Sequence, residues 1–221
     1  MKSRMTLWAA AGVVVMVNAL ALLHAVRNRA GGPVQTVTLS ERELSWYNTS
    51  EDSGVTLRLN WLHAHDQKPW IGEDSIRALG FNLDSDRNEA NPWRAFRRQG
   101  RRRAYVAFEL RRDGPREGSQ LAPMDASREA ASLLSKYRGR HDLVILPVSV
   151  MPYLREERTE DGRGGTGRRV VDLQFMDVPS EIHVPLPLAE QVRAMKPGRE
   201  CEITLQYGRF FEPWVSAVRF R

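Results

Sequence analysis

Hydrophobic and polar residues alternate along several stretches of this chain, as is typical of half-buried β-strands. The clearest stretch is Val55–Trp61, in which Val, Leu, Leu and Trp alternate with Thr, Arg and Asn. Six further stretches predict strands: Val34–Leu39, Ala104–Leu110, Leu143–Val150, Val170–Met176, Cys201–Tyr207 and Trp214–Phe220. Among these, Leu143–Val150 is nearly all apolar, which predicts a strand covered on both faces. Because proline has no N–H to donate, we expect Pro147 near a sheet edge or a bulge.

Helical patterns are fewer and short. Asp74 is a candidate cap for a helix that stops at Gly80, and Asp125 or Ser127 for a helix that runs to Arg138. Pro187 suits the first turn of a third helix. The chain therefore predicts a mainly β (α+β) domain, an antiparallel β-sandwich-like structure with two or three short helices. The helices do not alternate regularly with the strands, which argues against a doubly wound parallel sheet.

A charged, glycine-rich segment, Arg155–Arg169, separates two predicted strands. Its glycines superficially resemble a phosphate-binding loop, but the Gly-Lys-Ser/Thr ending is missing. We expect a long hairpin loop.

The N-terminus carries a second kind of pattern. Met5–Leu23 has no charged residue, and helical rise over that length, extended to Val26, matches a hydrocarbon core roughly 30 Å thick. A cleavable signal peptide is the alternative, but its apolar region is usually shorter, about 7–15 residues. We predict an uncleaved signal anchor over residues 1–30 and a β-rich extracytoplasmic domain over 31–221. The expected location is the bacterial inner (cytoplasmic) membrane, with a single pass and the N-terminus inside.

Charge argues against a nucleic-acid partner, although the sequence pI is about 9.9. Four of the 33 Lys and Arg residues flank the apolar run, whereas all 27 acidic residues lie at Glu41 or beyond. The domain itself is therefore close to neutral, and a duplex-binding protein needs a clustered basic face.

The densest basic cluster is the exception within this near-neutral domain. It comprises Arg94, Arg97, Arg98, Arg101, Arg102 and Arg103. Within it, Arg97, Arg98, Arg101, Arg102 and Arg103 are our candidates for contact with anionic lipid, an anionic polymer or an acidic partner. The alternative is a solvated loop that leads into the Ala104 strand.

Metal-binding and catalytic signals are sparse. His63, His65 and Asp66 are weak candidate metal ligands, because zinc accepts His and Asp. The remaining candidates, His141, His183 and several carboxylates, have no diagnostic spacing. The single cysteine, Cys201, is in phase with buried positions and predicts an inert thiol rather than a nucleophile. We predict no cofactor, and no hydrolase motif such as Gly-x-Ser-x-Gly is present.

Small and polar residues share one face of the predicted span. Asn18, Ala21 and Ala25 are the candidate packing residues, because small residues allow close helix approach and Asn can hydrogen-bond across it. This face predicts a second integral membrane protein as partner. The alternative is that the span tolerates a lone Asn at modest cost.

Several short motifs together resemble a known family. They are Leu39–Leu44 (LSEREL), Ser53–Trp61 (SGVTLRLNW), Leu79–Phe81 (LGF) and Tyr207–Val215 (YGRFFEPWV), placed after the apolar run. The chain resembles a family of bacterial one-span membrane proteins of unknown function, domain-of-unknown-function family 4824. That resemblance implies no activity and no catalytic residues. It implies a membrane partner, since members tend to be encoded beside polytopic membrane proteins.

The leading hypothesis is therefore a membrane-anchored, non-enzymatic accessory or interaction subunit of a membrane complex. The alternatives are an envelope metal-dependent hydrolase that uses His63, His65 and Asp66, and a binder of anionic lipid or polymer that uses the Arg94–Arg103 cluster.

Overall fold

The computed structural model describes residues 32–40, 43–48, 54–59, 61–63, 71–84, 92–112, 119–157, 168–194, 200–208 and 213–220. Residues 1–31, which contain the predicted span and the Asn18, Ala21 and Ala25 face, lie outside these ranges. Within the described part of the chain, no helix is both long and apolar enough to cross a membrane. The span thus stays a prediction.

Eleven strands are present in the described residues, and they form three sheets. The first sheet has the order β1-β10-β11, with β1 (Val34–Leu39), β10 (Cys201–Gln206) and β11 (Trp214–Phe220). The second has the order β2-β3-β9, with β2 (Leu44–Asn48), β3 (Val55–Leu59) and β9 (Glu181–Val184).

The third and largest sheet has the order β4-β6-β5-β7-β8. Its strands are β4 (Trp61–His63), β5 (Arg102–Arg111), β6 (Ser119–Ser127), β7 (Leu143–Glu157) and β8 (Arg168–Met176). Every strand pair in the three sheets is antiparallel except β4 with β6, which is parallel. The prediction of a mainly β, antiparallel domain with short helices is therefore confirmed, whereas the two-layer sandwich stays a prediction.

Four short helices accompany the sheets in the described ranges. They are α1 (Glu73–Ala78), α2 (Pro92–Arg98), α3 (Ala130–Lys136) and α4 (Leu186–Arg193). Pro187 lies in the first turn of α4, as predicted. Gly80 follows α1 with a φ of 86°, a conformation that favours glycine, so the predicted stop is also confirmed.

Two predicted helix starts are wrong. Gly72, and not Asp74, is the N-cap of α1. Asp125 and Ser127 belong to strand β6, and α3 starts only after Glu129. For Asp125 the reason is tertiary, because its carboxylate accepts hydrogen bonds from Ser75 of α1 and from Lys136 in the last turn of α3, and it does not cap the start of α3.

The long apolar strand behaves as its sequence predicts. Leu143, Val144, Ile145 and Leu146 of β7 are all buried. Pro147 faces β5 on one side, and β8 pairs with β7 only from Ser149 onward, so the proline stands where β7 has no second neighbouring strand in its sheet. The β7–β8 hairpin is also as predicted, although its strands extend to Glu157 and Arg168 within the segment expected to be loop.

Candidate anion-contact surface

Helix α2 replaces the loop that the sequence suggested for the arginine cluster. Phe96 is fully buried and Ala95 nearly so, and the helix packs mainly on β7. Arg94, Arg97 and Arg98 point outward from the same short helix and are exposed. Over residues 94–98, whose side chains are described, the helix is therefore amphipathic, and its exposed residues are all arginines.

The chain then turns into β5 without leaving this face. Gly100 adopts a φ of 70° and its N–H bonds the carbonyl of Arg97 at 3.2 Å. Arg101 and Arg103 are exposed on either side of the half-buried Arg102. We call the five exposed residues the arginine surface: Arg94, Arg97, Arg98, Arg101 and Arg103.

A side-chain clamp fixes this surface to the turn after α1. The Gln99 amide accepts from the N–H of Asn82 at 2.8 Å and donates to the carbonyl of Asn82 at 2.9 Å. Asp84 in the same turn pairs with Arg77 at 3.3 Å. The end of α2 and the turn after α1 are thus held side by side, so the arginine surface stands on a fixed support.

Arg102 does not share the outward position of its neighbours. Its guanidinium lies 4.6 Å from the centre of the Phe81 ring, within range of a cation–π contact, and Nη1 donates to the carbonyl of Leu79 at 3.0 Å. Arg128 donates to the same carbonyl oxygen, also at 3.0 Å. We call Arg102 and Arg128 the arginine pair.

Arg128 was missed from the sequence because it lies outside the cluster and no local pattern distinguishes it. Antiparallel pairing of β5 with β6 places Tyr105 opposite Ser127, which brings Arg128 beside the start of β5. The register of that pairing is the only signal for the residue, and it becomes visible only when both strands are known.

The predicted metal ligands are not tested as a group. His63 closes strand β4, but its side chain, together with His65 and Asp66, lies outside what the structure describes. Among the described residues, no group of three or more His, Cys, Asp or Glu side chains is arranged to hold a metal ion.

The cysteine is buried in β10, as its phase in the strand predicts. Desolvation, with a smaller contribution from the charge of Glu202, raises the pKa of the Cys201 thiol to about 11. A thiol with a raised pKa is a poor nucleophile at neutral pH.

A buried carboxylate, Asp125, joins three elements. It accepts hydrogen bonds from Ser75 of α1 at 2.7 Å, from Lys136 of α3 at 2.6 Å and from Tyr137 at 3.2 Å. Burial by itself raises the pKa of Asp125, but the bonds from Lys136, Ser75 and the N–H of Ala126 outweigh it, and the net pKa is lowered. The cluster holds two helices, α1 and α3, against the large sheet. Its role is therefore structural, and we call it the Asp125–Lys136 tie.

A cavity of about 330 Å³ lies between β1 and the end of α3. Two of the polar side chains that line it form bonds with other residues: Tyr137 with Asp125, and Arg140 with Asp142 and Glu109. Gln35 also bonds backbone groups of β7. Three side chains of the cavity wall thus bond other parts of the fold.

Comparison with known proteins places the chain in a family. The family described as "Domain of unknown function (DUF4824)" matches residues 17–116 and 111–215, most of the chain. No curated protein and no solved structure matches. The resemblance seen in the sequence motifs is confirmed, and the chain belongs to the DUF4824 family.

Proposed function

We propose that this protein is a single-pass membrane protein of the bacterial envelope whose β-rich domain is extracytoplasmic. In this proposal it acts as a non-enzymatic accessory subunit of a membrane complex. The arginine surface contacts an acidic face of a partner protein. The observation that carries the proposal is the concentration of exposed guanidinium groups on α2 and the start of β5, in a domain that is otherwise close to neutral.

The chemistry of the surface supports an acidic protein partner. A guanidinium group is planar and can bind a carboxylate through two parallel N–H bonds. Phe96 and the Gln99–Asn82 clamp hold the helix in place, which reduces the ordering needed when a partner binds. Contacts of this kind are weakened by salt, because exposed charges are screened over about 10 Å at 0.1 M ionic strength.

Chemical cross-linking of the full chain in native membranes tests the contact. The variant Arg97→Ser/Arg98→Ser/Arg101→Ser removes three charges from the arginine surface. A matched control, Arg58→Ser/Arg138→Ser/Arg219→Ser, removes three exposed charges elsewhere. We expect wild type and control to cross-link to an integral membrane protein, and the surface variant to lose most of that product.

Three outcomes contradict the proposal. The first is an equal cross-linking yield in both variants, and the second is a monodisperse wild-type monomer with no co-purifying membrane protein. The third is a surface variant that loses binding to anionic vesicles but keeps its binding to a protein, while the control variant keeps both. That result would indicate a lipid contact.

The membrane anchor needs its own test. Mass spectrometry of the mature protein should find an N-terminus that precedes Met5, and protease added outside the cytoplasmic membrane should digest the β-rich domain. A mature chain trimmed near Ala25, or a protected domain, would contradict this part of the proposal.

A further inference from the structure

The arginine pair meets at the C-terminal end of α1. Arg102 and Arg128 both donate to the carbonyl oxygen of Leu79, so two cations share one neutral acceptor. An arginine has five N–H donors, and each of these two directs one of them to that oxygen. The two donating nitrogens, Nη1 of Arg102 and Nη2 of Arg128, therefore lie near one another.

Gly80 shows how closely the two groups approach. A Cβ atom at Gly80 would stand 2.3 Å from Nη2 of Arg128 and 2.4 Å from Nη1 of Arg102. Both nitrogens therefore lie close to the same point, the position that a Cβ atom of residue 80 would occupy. Only glycine leaves that space open for them, and the φ of 86° independently favours glycine there.

Charge balance is the second observation. Within the described ranges, neither Arg102 nor Arg128 forms an ion pair with a carboxylate. Glu129 is next to Arg128 in sequence, but its side chain is exposed and forms no ion pair in the same ranges. Two like charges held this close repel each other, and an anion between them removes that repulsion.

The site is also fixed in position. The Phe81 ring supports one face of Arg102, and the Leu79 carbonyl, at the end of α1, aligns both side chains. Two planar guanidinium forks that reach one place from different elements suit an acceptor with oxygens in more than one plane. A tetrahedral oxyanion has that shape, whereas a carboxylate offers two oxygens in a single plane.

We propose that Arg102 and Arg128 form a binding site for one oxyanion of the phosphate class, supplied either as free phosphate or as a lipid phosphate group. This proposal does not depend on what the arginine surface contacts, because it is argued from the arginine pair, Leu79 and Gly80.

Equilibrium binding of radiolabelled inorganic phosphate to the full chain tests the site. The protein is solubilised in dodecyl maltoside, a detergent that contains no phosphate, with chloride used to hold ionic strength constant. Wild type should bind phosphate saturably at one site. Arg128→Gln should weaken that affinity at least about tenfold, since it removes a charged donor. Arg219→Gln, which changes an exposed arginine of β11 outside both arginine groups, should stay within about threefold.

A second variant tests the geometry without changing any charge. Gly80→Ala places a methyl group where the two guanidinium nitrogens lie, so their flexible ends must move apart. Gly139→Ala is its matched control, because Gly139 has a similar φ of 83° but no atom within 4 Å of the added Cβ. We expect Gly80→Ala to lose phosphate affinity at least about tenfold and Gly139→Ala to retain it.

The two sources are separated by repeating the titration in nanodiscs that contain phosphatidylglycerol. Weaker phosphate binding by wild type there identifies the lipid phosphate as a competitor, and unchanged binding identifies free phosphate. Absence of saturable binding overturns the proposal. So does an Arg128→Gln variant that melts earlier but binds phosphate like wild type, since that result assigns the pair a structural role only. Neither readout depends on cross-linking to a protein partner.

Discussion

The hydroxyl of Tyr207 lies 2.7 Å from the side-chain oxygen of Gln35 in the buried interior, although the two residues are 172 positions apart. The same hydroxyl is 2.8 Å from the carbonyl of Ile145, so its single proton has two acceptors in reach. The Gln35 amide bonds the carbonyl of Leu143 at 2.9 Å and accepts from the N–H of Ile145 at 3.1 Å.

These bonds explain how two sheets are joined. Residues 143–148 of β7 have no neighbouring strand on the side away from β5 within their sheet. The side chain of Gln35 from β1 bonds backbone groups there, as a neighbouring strand would. Buried backbone groups need such partners, so this contact fixes the first sheet against the largest one.

Removing the Tyr207 hydroxyl should destabilise the protein. Tyr207→Phe keeps the ring but leaves the carbonyl of Ile145 with one partner fewer, and we expect a loss of about 1–2 kcal/mol in the free energy of unfolding. Urea denaturation of the detergent-solubilised full chain measures it. Tyr47→Phe is the control, because Tyr47 is 42% exposed and its loss should be near zero. Equal stability of the two variants would refute the structural role of the hydroxyl.

The Asp125–Lys136 tie should make stability depend on pH. The folded-state pKa of Asp125 is lowered, so its contribution is present above the ordinary carboxyl pKa of about 3.9 and is lost as pH falls through the folded value. The hydrogen bond to Asp125 raises the pKa of Lys136, so the lysine contribution is present below about pH 10.4 and is lost as pH rises through the folded value.

Asp125→Asn should therefore lower the free energy of unfolding between about pH 3.9 and about pH 10.4. We expect about 1 kcal/mol at pH 7, discounted because Lys136 is mostly exposed. The difference from wild type should shrink below about pH 3.9. Thermal denaturation across pH measures it, with the exposed Glu129→Gln as control. If the stability difference between Asp125→Asn and wild type were the same from pH 3 to pH 7, the charge on Asp125 would contribute nothing to stability.

The two glycines with similar φ values should respond alike in stability. Gly139→Ala forces an alanine into the left-handed region, which costs roughly 1–2 kcal/mol. Gly80→Ala adds a clash with arginine ends, but those ends can swing away, so we expect a similar cost. Unfolding free energies of both variants measure this. A much larger loss for Gly80→Ala would mean that the Leu79 contacts of the arginine pair also stabilise the fold.

Cys201 should resist thiol reagents while the protein is folded. With a pKa of about 11 and a buried position, only roughly a thousandth of the thiol is ionised at pH 8. Labelling with iodoacetamide, followed by mass spectrometry, should be slow in the native protein and fast in urea. Rapid labelling of the folded chain would contradict a buried, inert thiol.

Much of the fold follows from local pattern. Alternation along Val55–Leu59 and Cys201–Gln206 predicts strands because one sheet face is buried, and burial repeats every second residue. Strand β6 was not predicted, since its sequence, Ser119–Ser127, contains Pro123 and Asp125 and lacks alternation. Helix α2 was not predicted either, because among residues 94–98, the part of the helix whose side chains are described, only Ala95 and Phe96 are buried.

The candidate site, like the fold, could be predicted from the sequence only in part. The sequence alone determined that Arg97, Arg98 and Arg101 lie together, because neighbours in a short segment stay neighbours in space. It also determined the apolar opening stretch and the membership of the family. The tertiary structure decided that Arg128 joins Arg102 at the Leu79 carbonyl, and that Gln35 and Tyr207 meet beside β7. Those pairings depend on strand register and sheet packing, which set distances between residues far apart in the chain and leave no periodic trace in the sequence.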